Sequence, residues 1–322
     1  MCELVYQDVL DALVRIRTRL PATPFHEIPS LSEKFGCRFF LKFESMQPIG
    51  AFKVRGGVNL VSQLSELDRS RGLITASTGN HGASIAWAAR AFGVRATIIA
   101  PEGSNPDKLA AIRRMGAEVV LHGKDFDEAR EWCEAQAEEN NVRYVHSANE
   151  PALIAGVGTV ALECFEQEPG IDVLIVPIGG GSGAAGTALV AKERTPQVRV
   201  VGVQAERAPA VYQSFQAGEM IPHPSANTFA DGLATRVPFE LTLSMMQRTV
   251  DEVVLVSEEE MCGAIRLLVS EVRVIAEGAG AASTAAAMKM DLKGKTVAAM
   301  LSGRNLTAAN LQTILLGGVP QP

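Results

Sequence analysis

The 322-residue sequence predicts an α/β fold of two open, mainly parallel-sheet domains, and three observations carry that expectation. Short β-rich runs alternate with longer helical stretches, the pattern of parallel strands covered by helices on both faces. A glycine-rich loop joins one such run directly to a helix start. The chain is 47% hydrophobic and 20% charged, and it is long enough for two packed cores.

Taken in order, residues 1–20 mix Glu3, Asp8, Asp11 and three arginines among apolar positions spaced like one helix face, which a secretory signal would not do. Strands are expected at 95–100, 118–121, 142–146, 173–178, 199–204 and 297–301. Helices are expected at 83–92, 107–115, 125–140 and 184–194. No internal repeat or low-complexity linker marks a domain boundary. No stretch is apolar for long enough to cross a bilayer. The net charge of -6, with no stripe of Lys or Arg, argues against nucleic acid and for a small-molecule partner. Five scattered cysteines (Cys2, Cys37, Cys133, Cys164, Cys262) without a Cys-x-x-Cys pair read as reduced thiols in a cytoplasm.

In sheets of this kind ligands sit outside the carboxyl ends of the strands. The run 172–178 leads into Gly179, Gly180, Gly181, Ser182 and Gly183, four glycines and a serine in five positions. Residues without Cβ let backbone N–H groups approach an anion, and the following helix start adds partial positive charge, so a phosphate is the expected guest. Gly181, Gly183 and Gly186 also spell a dinucleotide fingerprint, with Glu206 about twenty residues on. A nicotinamide-dependent dehydrogenase is therefore the alternative from this loop alone, although the loop lies mid-chain, where such fingerprints seldom do.

Upstream, the turn Gln47-Pro48-Ile49-Gly50-Ala51 precedes Phe52 and Lys53. This segment resembles the cofactor-lysine segment of the fold-type-II pyridoxal-phosphate enzymes, specifically the serine/threonine dehydratase and serine racemase group. The resemblance recurs in order along nearly the whole chain. Ser77-Thr78-Gly79-Asn80-His81-Gly82 looks like the family's asparagine loop and Gly179 to Gly183 like its phosphate cup. Thr228 to Ala234, Glu277 to Ala281 and Leu301 to Asn305 are similar to further family segments.

The resemblance implies a tryptophan synthase β-like fold with pyridoxal 5'-phosphate in the interdomain cleft. By it, residues 1–66 and 150–322 form the larger domain and 67–149 an inserted smaller one. Lys53 would carry the cofactor as a Schiff base and then take the substrate Cα proton, which requires a partly neutral amine. Phe52 would pack on the pyridine ring, Asn80 would bond its hydroxyl, and Ser302 would face its nitrogen. Backbone N–H groups from Ser77 through Thr78, Gly79 and Asn80 to His81 would hold the substrate carboxylate. The implied reaction is loss of the β-hydroxyl and amino groups from a small 3-hydroxy amino acid such as L-threonine or L-serine, giving a 2-oxo acid and ammonia. The partner is then the amino acid substrate, and a homodimer is implied.

Departures from the family pattern qualify these expectations. Thr78 stands where the racemase branch has a serine acid/base, and its methyl group favours one-sided elimination over two-face proton transfer. Racemisation, or dehydration of a less common substrate such as hydroxyaspartate or a phenylserine, stays open. Gln204 and Ala210 occupy the carboxylate positions of a cation site seen in some relatives, so no metal is expected, with Glu206 nearby. Arg304 replaces a common glycine, and both a charge near the site and a solvent-facing arginine are compatible with it. The chain ends soon after Asn305, so a C-terminal regulatory domain is not expected.

Overall fold

A computed structural model describes residues 4–322, so Cys2 and the first residues of the expected N-terminal helix lie outside the described residues. The chain forms two compact units. The first comprises residues 4–21 and Lys53–Val157, and the second Ala22–Phe52 and Gly158–Pro322.

The strands, in chain order, are β1 (Phe25–Glu27), β2 (Arg38–Phe43), β3 (Leu73–Ala76), β4 (Ala96–Ala100), β5 (Glu118–Leu121), β6 (Arg143–Tyr144), β7 (Val173–Pro177), β8 (Arg199–Ala205), β9 (Glu252–Val256) and β10 (Thr296–Leu301). In the first unit, β5-β4-β3-β6 make a four-stranded parallel sheet. In the second, β1-β2-β10-β7-β8-β9 make a six-stranded sheet, parallel except where the edge strand β1 runs against β2. Every residue of β7 is buried, which is why Val173–Pro177 reads as one apolar run without alternation.

Helix Tyr6–Arg17 buries Val9, Ala12, Leu13 and Ile16, the one-faced spacing expected for it, and packs on helix Val54–Ser62. The first unit is wider than the segment 67–149 because Val54–Ser62 in turn packs on helix Asn80–Ala91. Two glycines let Val54–Ser62 close up on its neighbours, Gly57 on helix Asn80–Ala91 and Gly56 on the segment around Leu153. A Cβ on Gly57 would lie 2.4 Å from Ser84 Oγ, and one on Gly56 would lie 2.9 Å from the Leu153 carbonyl. The strand expected at 142–146 pairs only over Arg143–Tyr144, because the chain turns away at His146.

Each unit turns a strand end into a loop of interest. In the first, β3 runs into residues 77–82. In the second, β7 runs into the glycine loop and β10 into Ser302. Among the described residues there is no disulfide, and Cys37, Cys133, Cys164 and Cys262 are buried. Burial pushes the Cys262 thiol up to about 11, so it stays protonated and unreactive at neutral pH. None of the described helices is long and apolar enough to cross a membrane.

Candidate active site

The glycine loop is shaped by the absence of side chains. A Cβ on Gly179 would lie 2.0 Å from the Gly232 carbonyl oxygen, backbone against backbone, where nothing can swing aside. Gly181 caps helix Ser182–Arg194 with φ of 91°, a left-handed conformation that glycine adopts without steric cost. A Cβ on Gly183 would meet the Phe52 ring at 3.0 Å, so the aromatic ring seats directly on this turn. Thr242 Oγ1 donates to the Gly180 carbonyl at 2.8 Å and fixes the loop from its outer side. Ser182, nearly fully buried, begins a helix of thirteen residues whose N-terminal N–H groups and dipole suit a phosphate.

The other motif segments of this unit converge on the same loop. A Cβ on Gly232 would touch the Ala279 methyl at 2.8 Å, and one on Gly278 would touch the Ala230 methyl at 2.7 Å. A Cβ on Gly280 would lie 2.1 Å from the Gly303 carbonyl. Segments 228–234, 277–281 and 301–305 are therefore stacked at backbone contact distance. Phe52 joins them by donating its N–H to the Ser302 carbonyl at 3.0 Å, next to the bridge between Ala51 and Gly303. The Ser302 side chain is buried and its hydroxyl donates to the Ala279 carbonyl at 3.3 Å, a long bond that a better acceptor would displace. Arg304 is exposed, its N–H bonded to the Gly50 carbonyl at 2.9 Å.

In the first unit, Lys53 stands at the N-terminus of helix Val54–Ser62. Its carbonyl accepts the Ser84 hydroxyl at 2.7 Å, and its amine donates to the Ser147 carbonyl at 3.3 Å. Burial lowers the amine from 10.5 to about 8. At pH 7.5 about a quarter of it is neutral, against about one in a thousand for an exposed lysine.

The asparagine loop is held by a side chain. Ser77 Oγ accepts the N–H of Gly79 at 3.2 Å and of Gly82 at 2.9 Å, closing the turn that starts helix Asn80–Ala91. The Ser77 N–H itself donates to the Ile99 carbonyl at 2.9 Å. Of the five N–H groups expected to face a carboxylate, those of Ser77 and Gly79 are thus committed to the loop's own structure. His81 is buried and desolvation holds it at about 3, with Lys53 adding to the effect, so its ring is neutral. Thr75 Oγ1 gives its single proton to the Val145 carbonyl at 2.7 Å and lies 2.9 Å from His81 Nε2. With that proton spent, the hydroxyl can only accept, so His81 carries its proton on Nε2.

At the position of the relatives' cation site, Gln204 and Ala210 are both fully buried. Gln204 Oε1 accepts the Tyr212 N–H at 2.8 Å, which ties the amide to the start of helix Ala210–Ala217. That oxygen is spent on a neutral donor, and the methyl of Ala210 offers no ligand. No cluster of three or more His, Cys, Asp or Glu residues fit to hold a metal occurs among the described residues.

A cradle shaped for a phosphate, with an aromatic ring against it, and a lysine of lowered basicity as the next residue in the chain define an α/β enzyme class that works through a phosphorylated carbonyl cofactor. The chain belongs to the pyridoxal-phosphate dependent enzyme family, whose profile matches residues 16–303. This assignment removes the nicotinamide reading of the glycine loop. The chain is 38% identical over 317 residues to L-threonine ammonia-lyase of Thermotoga maritima, covering 98% of this chain and 79% of that one. The solved structure of the processed form of threonine deaminase isoform 2 from Solanum lycopersicum superposes with a TM-score of 0.92 at 31% identity, over 97% of this chain and 87% of that one. Maize serine racemase superposes at 0.93 with 30% identity, over 98% of each chain.

Sequence reasoning missed several residues that shape these loops. Thr75, Ser84, Thr242, His146 and Ser147 are single polar residues whose roles depend on contacts distant in sequence. Arg55, two residues beyond Lys53, is fully buried, and a wholly buried arginine is unusual enough to mark the segment. Gly56 and Gly57 were visible as a pair directly after the lysine, a signal that this helix packs closely.

Proposed function

We propose that the protein is an ammonia-lyase that removes the β-hydroxyl and amino groups from a small 3-hydroxy amino acid, such as L-threonine or L-serine, to give a 2-oxo acid and ammonia. The observation that carries the reading is Lys53, half-buried and lowered to about 8, directly following the Phe52 ring that packs on the glycine loop. Pyridoxal 5'-phosphate fits the second unit because the glycines at 179, 181 and 183 let the loop backbone pack against Gly232, Thr242 and Phe52 with no side chain between, and helix Ser182–Arg194 offers its N-terminus to the phosphate. When bound, the cofactor supplies the electron sink that makes the substrate Cα proton acidic and the β-hydroxyl able to leave.

The chain's own residues do the rest. Lys53 Nζ holds the cofactor and takes the Cα proton, which its partly neutral amine can accept at physiological pH. Phe52 packs on the ring face and Asn80 bonds the ring hydroxyl. Ser302 offers a neutral hydroxyl to the pyridine nitrogen, so no carboxylate holds that nitrogen protonated, which favours loss of a β-leaving group. Thr78, Asn80 and His81 offer N–H groups to the substrate carboxylate, and the neutral His81 brings no charge of its own. The same reading makes the protein a cytoplasmic homodimer that works without a metal.

The likeness to maize serine racemase supports a second reading, in which the Thr78 hydroxyl moves a proton on the face opposite Lys53. Both are tested in one assay. The visible spectrum of the purified protein is recorded before and after L-threonine or L-serine, while 2-oxo acid and the D-enantiomer are measured. Lys53→Ala is the control, expected to lose the visible band and all turnover. Oxo acid without enantiomer establishes the lyase, enantiomer in excess establishes the racemase, and a protein that shows no band after addition of pyridoxal phosphate refutes both.

A further inference from the structure

We propose that His146 is a positioning residue for Lys53: its ring fixes the turn 146–149 so that the Ser147 carbonyl points at the Lys53 amine and holds that amine ready once it is released from the cofactor. The proposal rests on Lys53 being the cofactor lysine.

The geometry is a chain of three hydrogen bonds within the first unit. His146 Nδ1 accepts the N–H of Ala148 at 3.0 Å and of Asn149 at 2.9 Å. The Ala148 N–H and the Ser147 C=O belong to one planar trans peptide, so turning the N–H toward the ring turns the carbonyl the opposite way. On that opposite side the carbonyl meets Lys53 Nζ at 3.3 Å. The far end of the turn is fixed too. The Glu150 N–H donates to the Ala148 carbonyl at 2.9 Å, and the Glu150 carboxylate pairs with Arg143 on β6 at 2.5 Å. The peptide between Ser147 and Ala148 is therefore set by one ring nitrogen and anchored beyond it.

This arrangement needs an unprotonated Nδ1, since a proton there would face two N–H donors. The charged and titratable groups around the ring are Lys53, His81 on helix Asn80–Ala91, Tyr144 on β6, and Glu134 and Arg130 on helix Phe126–Glu139. Burial is the largest influence and lowers the His146 pKa. Glu134 opposes it, while Arg130 and Lys53 act with it. The ring is thus neutral at physiological pH. Acid converts Nδ1 from acceptor to donor, releases the turn and withdraws the carbonyl from Lys53.

Two variants separate positioning from bulk. His146→Leu fills the space without an acceptor. His146→Asn keeps an acceptor, because an asparagine side chain readily accepts the N–H two residues on, and it cannot titrate. For each, the apoenzyme is mixed with pyridoxal phosphate between pH 5 and 9, the visible band of the Lys53–cofactor bond is followed in time, and kcat and KM are then measured. His146→Leu is expected to form the bond about tenfold more slowly and to lose about tenfold in kcat with KM within about twofold, since the binding groups stay in place. His146→Asn is expected to stay within about threefold of wild type at pH 8, and below pH 6 its rate falls less steeply, because one titrating group is gone. Wild-type rates in His146→Leu, or equal losses in Leu and Asn, overturn the proposal. A Lys53→Ala protein that still forms the band and turns over overturns instead the assignment of Lys53, and the two failures are told apart by that control.

Discussion

The glycine loop and the asparagine loop both bring backbone N–H groups to the end of a parallel strand, yet they are held open by opposite means. Residues 179–183 keep their shape because side chains are missing, with Gly179 against the Gly232 carbonyl and Gly183 against the Phe52 ring. Residues 77–82 keep theirs because one side chain is present, with Ser77 Oγ closing the turn on Gly79 and Gly82. A loop built on close approach fails when an atom is added, and a loop built on a hydrogen bond fails when an atom is removed. The first kind of failure costs more, since a packed backbone has no rotamer with which to yield.

The largest expected effect is therefore Gly179→Ala. Its Cβ falls 2.0 Å from the Gly232 oxygen, and we expect a stability loss of about 3 kcal/mol with purified protein free of visible cofactor absorbance, read by urea unfolding and spectroscopy. A fully coloured, stable Gly179→Ala protein would break the comparison. Ser77→Ala comes next. It leaves two N–H groups without their acceptor, at about 1–3 kcal/mol, and we expect a raised KM with cofactor retained. Bound colour lost in step with KM would show the loops to be one unit.

The third effect is one of pH. His81 titrates at about 3 when folded and near 6.5 when unfolded, so between these values the unfolded chain binds the proton and the folded chain does not. Stability is complete above about pH 6.5 and falls as the pH drops toward 3, by about 1.4 kcal/mol at pH 5.5 from this residue alone. His81→Gln should flatten that part of the curve in urea midpoints taken at pH 7.5 and 5.5. An unchanged slope would show that the ring is solvated.

The same contrast explains what could be read from the sequence. Buried strands such as β7 and β10 announce themselves as apolar runs, and the glycines at 179–183 announce themselves because only close backbone approach calls for so many. The strands at Leu73–Ala76 and Glu252–Val256 escape the sequence reading, since apolar runs of four and five residues are not told from helical segments by periodicity alone. Thr75 and His146 were illegible for a different reason. The register of β3 on β6 pairs Ile74 with Tyr144 and so sets Thr75 beside Val145, a contact across about seventy residues that no local pattern encodes. The sequence suggests Ser77 as a backbone donor to a ligand, whereas the sheet takes its N–H and the loop takes its oxygen.

The single proton of the Thr75 hydroxyl has a consequence beyond catalysis. Because it is given to Val145, the neighbouring imidazole is fixed in one tautomer with its Nε2 proton shielded from water. Such a proton exchanges slowly and resonates far downfield of the amide envelope, so nitrogen-15 labelling of histidine would make His81 a reporter of the asparagine loop. It would register whether the loop is formed in the apoprotein, in the coloured holoenzyme and with substrate bound, without any need for turnover.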